Sequence, residues 1–249
     1  MIKLENISKT FNRGKANEVK AIEDLSLTIS VQDYVVIVGA NGSGKSTLLN
    51  LIAGSTLPGS GIIEIDNHPV TRLHDYQRSR WIARVFQNPL SGTAPDLSIL
   101  DNFRLAALRT QSKGLRIGTN NVFKKEVQEK IALLDMGLEN KLMQPMGTLS
   151  GGQRQALTLL MSVMDECKIL LLDEPTAALD PRSARLVMET ADKLIADFKL
   201  TAILITHNLK DAHTHGNRLI HMAEGKVIKD FSSEKKLNLT QNDLFEWFS

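Results

Sequence analysis

Apolar and polar residues alternate over much of the first third of the chain, as they do in strands with one buried face. One stretch, Tyr-Val-Val-Ile-Val at residues 34–38, is instead a continuous apolar run, which is typical of a strand buried on both faces. A glycine-rich turn and then a helix over residues 45–53 follow it. The predicted strands of this part cover residues 2–7, 21–30, 34–38 and 62–65, with turns at residues 12–17 and 59–61.

In the middle of the chain, apolar residues recur at helical spacing and β-branched runs are few. Val127, Ile131 and Leu134 fall on one face of a helix predicted over residues 124–134. Residues 110–122 are rich in glycine, asparagine, serine and basic residues. We expect them to form an exposed loop, which is either a solvated connector or a contact for a partner.

Strands and helices alternate again in the final third. Strands are predicted at residues 169–172, 202–206 and 217–222, and a helix over residues 182–198. Such alternation favours a mainly parallel sheet covered by helices, into which the helical middle is inserted. The tail has a capping pattern at Thr240–Asp243 and then the apolar residues Leu244, Phe245, Trp247 and Phe248. We expect these to form a short helix that docks on the domain or meets a partner.

Composition narrows the class of protein. Of the 249 residues, 42% are hydrophobic and 23% are charged, as in ordinary globular proteins. The net charge of +2 gives no electrostatic reason to expect a nucleic-acid partner. We expect no secretory signal, and no apolar run approaches the roughly 18 residues that a membrane span needs. Any membrane part of the system must therefore come from other chains.

A phosphate-binding loop follows the predicted buried strand. Gly39, Gly44, Lys45 and Ser46 match the pattern G-x-x-x-x-G-K-[ST], with a strand before it and a helix after it. The glycines let successive N–H groups face one anion, and the helix N-terminus adds partial positive charge. Lys45 can reach the β- and γ-phosphates, and the Ser46 hydroxyl can bind Mg²⁺. This motif alone leaves kinases, GTPases and many ATPases open.

A second candidate group lies at the end of the apolar run 169–172, where Asp173 and Glu174 follow. Ligands of open α/β sheets bind at the carboxyl ends of the strands. Asp173 can hold Mg²⁺ through water, and Glu174 can orient and polarise an attacking water as general base. An Asp-Glu pair after an apolar run is a weak signal by itself, and it gains weight from the phosphate loop upstream.

Between these two motifs stands Leu-Ser-Gly-Gly-Gln at residues 149–153, which resembles the signature motif of the ABC ATPases. Its serine and glycines offer a hydroxyl and open N–H groups at the start of a helix, a second anion-binding end. The resemblance covers about residues 2–227. It implies a P-loop ABC cassette of the α/β class, in which a mainly parallel core and an antiparallel β subdomain (residues 1–96 and 161–249) carry a helical subdomain (about residues 97–160).

The resemblance also implies roles for further residues. Gln87 is similar to the Q-loop glutamine that contacts Mg²⁺ and couples to the transmembrane partner, and His207 to the histidine that contacts the γ-phosphate. Asp180 resembles an aspartate that crosses the dimer interface. Phe11 fits the aromatic residue that stacks on adenine, although a phenylalanine at a strand end can also be core.

Taken together, the motifs and the resemblance assign residues to three tasks. The residues expected to bind the nucleotide are Phe11, Gly39, Ala40, Asn41, Gly42, Ser43, Gly44, Lys45, Ser46, Thr47, Ser150, Gly151, Gly152, Gln153 and Asp180. Those expected to act in catalysis are Lys45, Gln87, Glu174 and His207, and the expected magnesium ligands are Ser46, Gln87 and Asp173.

The implied function is ATP hydrolysis with ATP and Mg²⁺, by a homodimer that sandwiches two nucleotides head to tail. Residues 88–95, 114–116 and 151–161 look like bacterial cassettes of uptake systems for amino acids, including aromatic ones. The resemblance therefore implies an importer with permease subunits and an extracytoplasmic solute-binding protein. It places the chain in the cytoplasm, peripheral on the inner face of the cell membrane.

The alternatives to import are an exporter or lipid-handling cassette, and a soluble cassette such as those of iron–sulfur cluster assembly. A nucleic-acid ATPase of the repair or translation type is expected to have a long coiled coil or two cassettes, and this sequence shows neither.

Overall fold

The computed structural model describes residues 1–109 and 119–245. Within them the strands are β1 (Ile2–Phe11), β2 (Val19–Ile29), β3 (Tyr34–Val38), β4 (Ser60–Ile65), β5 (His68–Pro69), β6 (Ile82–Val85), β7 (Ile169–Asp173), β8 (Thr201–Ile205), β9 (Arg218–Ala223) and β10 (Lys226–Phe231). The helices are α1 (Lys45–Ala53), α2 (Asp75–Arg78), α3 (Ile99–Ala107), α4 (Asn121–Ala132), α5 (Gly151–Ser162), α6 (Pro181–Asp197), α7 (Leu209–Thr214), α8 (Ser233–Leu237) and α9 (Gln241–Phe245). None of the helices in these ranges is long and apolar enough to cross a bilayer.

The strands form two sheets. The larger has the order β10-β9-β3-β8-β7-β6 and is parallel except for β10, which runs antiparallel to β9. The smaller has the order β2-β1-β4-β5 and is antiparallel throughout. The predicted combination of a mainly parallel core and an antiparallel β part is confirmed. Because β3 lies between β8 and β9, the loop that follows it leaves from the middle of the sheet.

The parallel sheet is covered on both faces, which explains the continuous apolar run of β3. Val35 and Ile37 pack in one hydrophobic core with α1 and the antiparallel sheet. Val36 and Val38 point the other way and pack in a second core with residues of α3, α4, α5 and α6. The central strand is therefore fixed from both sides, and so is the start of the phosphate loop.

One predicted turn is wrong in part, because Ser60 and Gly61 belong to β4. Gly61 has a φ of +92°, and a Cβ there would lie 2.5 Å from the carbonyl oxygens of Glu5 and Asn6. The pairing of β1 with β4 is irregular at this point, between Glu5 and Ser8. Gly61 thus allows β4 to approach β1 closely, and it does not form a turn.

The helical middle of the chain is confirmed, with Val127 and Ile131 of α4 fully buried and Leu134 buried just beyond its end. The exposed-loop prediction for residues 110–122 is wrong at residues 121 and 122, which begin α4 after the N-cap Asn120. Residues 110–118 lie outside the described ranges. The subdomain boundaries at residues 97 and 160 stay a prediction, and α5 itself continues to Ser162.

The tail begins with the predicted cap. Asp243 N donates to Thr240 Oγ1 at 3.3 Å, and Thr240 N donates to Asp243 Oδ2 at 2.7 Å. Leu244 is fully buried in the core shared with α3 to α6, so the described part of the tail docks on its own domain. Trp247 and Phe248 lie outside the described residues.

Candidate active site

The phosphate loop, residues 39–47, connects β3 to α1 at the carboxyl edge of the parallel sheet. Gly39, Gly42 and Gly44 have φ values of +148°, +81° and +100°, in the region that favours glycine. Gly44 is the N-cap of α1, and in the described part of the chain neither a side-chain cap nor an acidic first-turn residue satisfies the free N–H groups there. The helix therefore offers these donors to an anion held in the loop.

Lys45 folds back over the loop. Its Nζ donates to the carbonyl oxygens of Gly39 at 2.7 Å and Ala40 at 2.9 Å. Burial lowers the pKa of the ammonium, and the carboxylate of Glu174 opposes that shift. The lysine thus braces the loop and keeps a positive charge beside the helix N-terminus.

Three backbone segments meet behind the loop and leave no room for side chains. A Cβ at Gly44 would lie 2.6 Å from Ala21 O, and a Cβ at Gly225 would lie 2.8 Å from the same oxygen. Gly225 N donates to Ser43 O at 3.1 Å, and Gly225 O accepts from Glu23 N at 3.2 Å. The turn between β9 and β10 therefore supports the phosphate loop from late in the sequence.

Glu174, directly after β7, contacts two of the other predicted catalytic residues, Gln87 and His207. Its φ is +47°, a left-handed conformation that is uncommon for a residue other than glycine. Its Oε1 lies 2.6 Å from His207 Nε2, and its Oε2 accepts from Gln87 Nε2 at 3.5 Å. The side chains of Gln87, after β6, and His207, after β8, thus both contact the carboxylate of Glu174, after β7.

Asp173, the last residue of β7, pairs with Arg84 of the neighbouring strand β6. Arg84 Nη2 donates to Asp173 Oδ2 at 2.6 Å, and the two side chains are only 13% and 14% exposed. Arg84 Nη1 donates to Asn50 Oδ1 at 2.7 Å, and the guanidinium lies 4.7 Å from the ring centre of Phe86. One oxygen of the predicted magnesium carboxylate is therefore bound by a cation of the same chain, which the sequence did not indicate.

A cavity of about 280 Å³ opens beside the phosphate loop. Phe11, at the end of β1 and 37% exposed, stands in its wall, with Lys9 Nζ 5.2 Å from the ring centre. None of residues 150–153 lines it, and neither does Asp180. The lining residues are Phe11, Val19, Ala21, Asn41, Gly42, Gly44, Lys45, Ser46, Thr47, Glu174 and His207.

The Leu-Ser-Gly-Gly-Gln segment starts α5 with a capping box. Gln153 N donates to Ser150 Oγ at 3.3 Å, and Ser150 N donates to Gln153 Oε1 at 3.1 Å. Ser150 is exposed and Gly151 partly so, and a Cβ at Gly151 would meet only the flexible Leu179 Cδ2, at 3.3 Å. Ser150 is thus accessible at this helix end, and none of residues 150–153 lines the cavity at the chain's own phosphate loop.

Gly152 differs from its neighbour, because it is buried against α6. A Cβ there would lie 2.4 Å from both Cβ and Oγ of Ser183. Asp180, the N-cap of α6, accepts from the N–H groups of Arg182 and Ser183, both at 3.1 Å. The hydrogen bond with the Ser183 side chain is the main cause that lowers the pKa of this carboxyl group. The prediction that both glycines serve as open N–H donors is therefore incomplete, since Gly152 is also required for packing.

Comparison with known proteins decides the family. The sequence model described as ABC transporter matches residues 22–177, which is more than half of the chain. The chain belongs to the ABC transporter family. As a member with this site it is an ATP-binding subunit and an ATPase.

Individual relatives agree with this assignment. The tyrosine transport ATP-binding protein of Clostridioides difficile (strain R20291) is 40% identical, over all of this chain and 98% of the relative. The phosphonates import ATP-binding protein PhnC of Rhizobium meliloti (strain 1021) is 34% identical, over 92% of this chain and 81% of the relative.

Two solved structures of cassettes are similar as well. A dimeric bacterial ABC transporter cassette has a TM-score of 0.79 and 30% identity, covering 94% of this chain and 99% of the other. A dimeric post-hydrolysis state of an ATP-binding cassette bound to ADP and Pi has the same TM-score, 28% identity and the same coverage.

The donor groups of this ABC cassette suit a magnesium ion that arrives with a nucleotide. Mg²⁺ is usually held by one or two carboxylates, waters and substrate phosphates. Ser46 offers a hydroxyl, Gln87 an amide oxygen, and Asp173 the carboxylate oxygen that Arg84 does not bind. Among the described residues, no group of three or more His, Cys, Asp or Glu side chains could hold a metal by itself.

Gln155 contacts two segments of the candidate site, although the sequence motifs assigned it no role. It is fully buried in α5, and its Nε2 donates to Phe86 O at 2.9 Å and to Pro175 O at 3.1 Å. Phe86 directly precedes Gln87 in the sequence, and Pro175 directly follows Glu174. One side-chain amide thus connects the signature helix to the segments that carry Gln87 and Glu174. The sequence signal for Gln155 was its place in the run 149–155 that resembles the signature motif, which assigned it no role.

Proposed function

We propose that this cassette hydrolyses ATP to drive the uptake of a small solute such as an amino acid. The support is the likeness to ATP-binding proteins named for tyrosine transport and for phosphonate import, each matched over most of its length. A macrolide export protein of Neisseria meningitidis is also similar, at 32% identity, but this chain covers only 35% of it. Export is therefore the second candidate.

The phosphate loop binds the nucleotide phosphates in this proposal. Lys45 and the N–H groups at the start of α1 neutralise the β- and γ-phosphates, and Phe11 stacks on adenine at the rim of the cavity. Ser46, Gln87 and Asp173 hold magnesium together with the phosphates. The metal, when bound, neutralises charge that develops on the transferred phosphoryl group.

The observation that carries the proposal is the pair of contacts at Glu174. His207 lies 2.6 Å from one carboxylate oxygen and Gln87 lies 3.5 Å from the other, beside the phosphate-loop cavity. A carboxylate fixed in this way can accept a proton from a water that attacks the γ-phosphate. His207 orients the carboxylate and lines the cavity, where it would contact a phosphate oxygen of the bound nucleotide.

Glu174→Gln tests this role. We expect the variant to bind ATP but to lose nearly all turnover, because the amide keeps the shape of the side chain and cannot take up the proton. ATP binding is measured by calorimetry and turnover by phosphate release. Glu189→Gln, an exposed carboxylate on α6, is the matched control and should keep normal activity. Normal turnover by a folded Glu174→Gln protein would remove Glu174 from the proposed role.

We infer that two copies complete each nucleotide site, head to tail. Ser150, Gly151 and Gln153 lie outside the chain's own phosphate-loop cavity, at an open helix end suited to an anion. In the dimer this end meets the nucleotide on the partner subunit's phosphate loop, and Asp180 lies at the interface. The two similar solved cassettes are dimeric, which supports the arrangement.

The dimer has a kinetic test. A composite site predicts that ATPase activity rises more steeply than in proportion to protein concentration while dimerisation is limiting. The Glu174→Gln protein should in addition elute as a dimer with ATP and as a monomer without it. Activity strictly proportional to concentration, from protein shown to be monomeric, would exclude the shared site.

The permease and the solute-binding protein are proposed partners, with the cassette on the inner face of the cell membrane. A groove of about 550 Å³ lies beside Phe86, next to Gln87, and is lined in part by Gly92, Leu105 and Met161. A segment of the permease seated there would contact the strand that leads to Gln87. Co-purification with a membrane-spanning protein supports this, whereas retention with soluble assembly factors favours the iron–sulfur type of cassette.

A further inference from the structure

The guanidinium of Arg84 connects the two elements that carry the proposed magnesium ligands. Through Nη2 it binds Asp173 of β7, and through Nη1 it binds Asn50 of α1, at 2.6 and 2.7 Å. Asn50 lies one helical turn after Ser46 on the same helix. A single side chain from β6 thus holds the strand of Asp173 against the helix of Ser46.

The same side chain places a positive charge at the metal site. Arginine stays protonated at every relevant pH, and this one is largely shielded from solvent, with the ring of Phe86 on one face. A divalent cation at Asp173 would share the carboxylate with this charge, and like charges repel strongly in a partly buried site. The negative charges of nucleotide phosphates offset that repulsion, so metal binding is favoured only together with them.

We propose that Arg84 is a positioning residue that competes with a divalent cation for Asp173, so that the metal binds there only together with nucleotide phosphates. The inference rests on the proposed function, in which Asp173 is a magnesium ligand. Arg84 also compensates the charge of Asp173, which is only 14% exposed, because an unpaired charge in that position is costly. The cassette would then take up magnesium as its nucleotide complex rather than as the free ion.

Arg84→Gln tests the inference, with Mn²⁺ as the probe. The concentration of free Mn²⁺ is measured by electron paramagnetic resonance, with and without ADP. This measurement does not depend on ATP turnover. We expect Arg84→Gln to bind Mn²⁺ without nucleotide at least about tenfold more tightly than the wild-type protein. Adding Asp173→Asn should abolish this gain, which locates the metal at Asp173. Arg84→Lys keeps the charge and should stay close to wild type.

The control is Arg104→Gln. The guanidinium of Arg104 lies 5.4 Å from the ring centre of Phe123, a contact similar to that of Arg84 with Phe86. Arg104→Gln therefore removes the same charge and the same kind of ring contact, but not at Asp173. Its Mn²⁺ binding should match the wild type. If Arg84→Gln does not fold, Arg84→Met replaces it and the same result is expected.

Two results would contradict the inference. One is metal affinity in the neutral Arg84 variants that is unchanged or weaker, as a merely structural role predicts. The other is a gain in Arg84→Lys equal to that in Arg84→Gln. A wrong proposed function would give another result: the wild-type protein itself would bind Mn²⁺ no more tightly with ADP than without it.

Discussion

Gly152→Ala tests why the signature helix carries a glycine at its second position. In α5 the new Cβ would lie 2.4 Å from both Cβ and Oγ of Ser183 on α6. Ordinary contacts between carbon atoms are about 3.5–4.0 Å, so the two helices must separate by roughly 1 Å or more at this point. Gly151→Ala is the matched comparison, because its Cβ meets only the end of the flexible Leu179 side chain at 3.3 Å.

The expected cost follows from two opposing effects. Forcing an extra methyl group into a packed interface costs about 1–3 kcal/mol. Alanine returns up to about 1 kcal/mol, since it favours a helix over glycine. We therefore expect Gly152→Ala to lower the free energy of unfolding by about 1–2 kcal/mol. In a protein of this size each kcal/mol corresponds to about 2–4 °C in Tm, so Tm should fall by roughly 2–8 °C.

A thermal-unfolding cycle with Ser183 checks this explanation. Ser183→Gly removes both atoms that the methyl group would hit, and the nearest remaining atom of Ser183 is then Cα, at 3.5 Å. In that background Gly152→Ala should be neutral or slightly stabilising. Ser183→Ala keeps the Cβ, so the loss of Tm should persist there. An equal fall in Tm in all three backgrounds would refute the steric explanation.

Two buried polar side chains give further predictions. Gln155→Met removes the hydrogen bonds to Phe86 O and Pro175 O, so we expect ATP turnover to fall at least about tenfold and the free energy of unfolding by roughly 1–3 kcal/mol. Full activity in the folded variant would show that the amide does not position the catalytic segments. Burial lowers the pKa of Lys236 from 10.5 to about 8, so the unfolded chain binds more protons between these two pH values. The Tm of the wild type should therefore rise relative to that of Lys236→Met between pH 8 and 10, and a constant difference in differential scanning would contradict this.

The motifs point to the proposed reacting groups because phosphate chemistry restricts both residue type and spacing. Glycines at 39 and 44, a lysine at 45 and a carboxylate at 174 satisfy requirements that few other residues meet. The buried strand before the loop was equally clear, since five consecutive apolar residues are typical of a strand covered on both faces.

The partners of these groups could not be found in the same way. Arg84 and Asp173 are 89 positions apart, and they meet only because β6 lies beside β7 in the sheet. The strand β6 has four residues with this arginine among them, so its apolar pattern is too short to identify it. The strand β10 is largely exposed and carries no apolar periodicity, yet its turn supports the phosphate loop.

The order of strands in the parallel sheet has a consequence for how the protein is made. The antiparallel sheet is complete once Pro69 has been synthesised, but Val35 of β3 pairs with Ile203 and Arg218. The strand β3, which leads into the phosphate loop, therefore has no neighbour in its sheet until β8 and β9 have been synthesised. Gly225, which supports the loop, is synthesised later still. Such long-range pairing forms late. We expect ATP to stabilise only nearly full-length chains, so that nucleotide binding marks the completion of synthesis and prematurely ended products remain open to proteases.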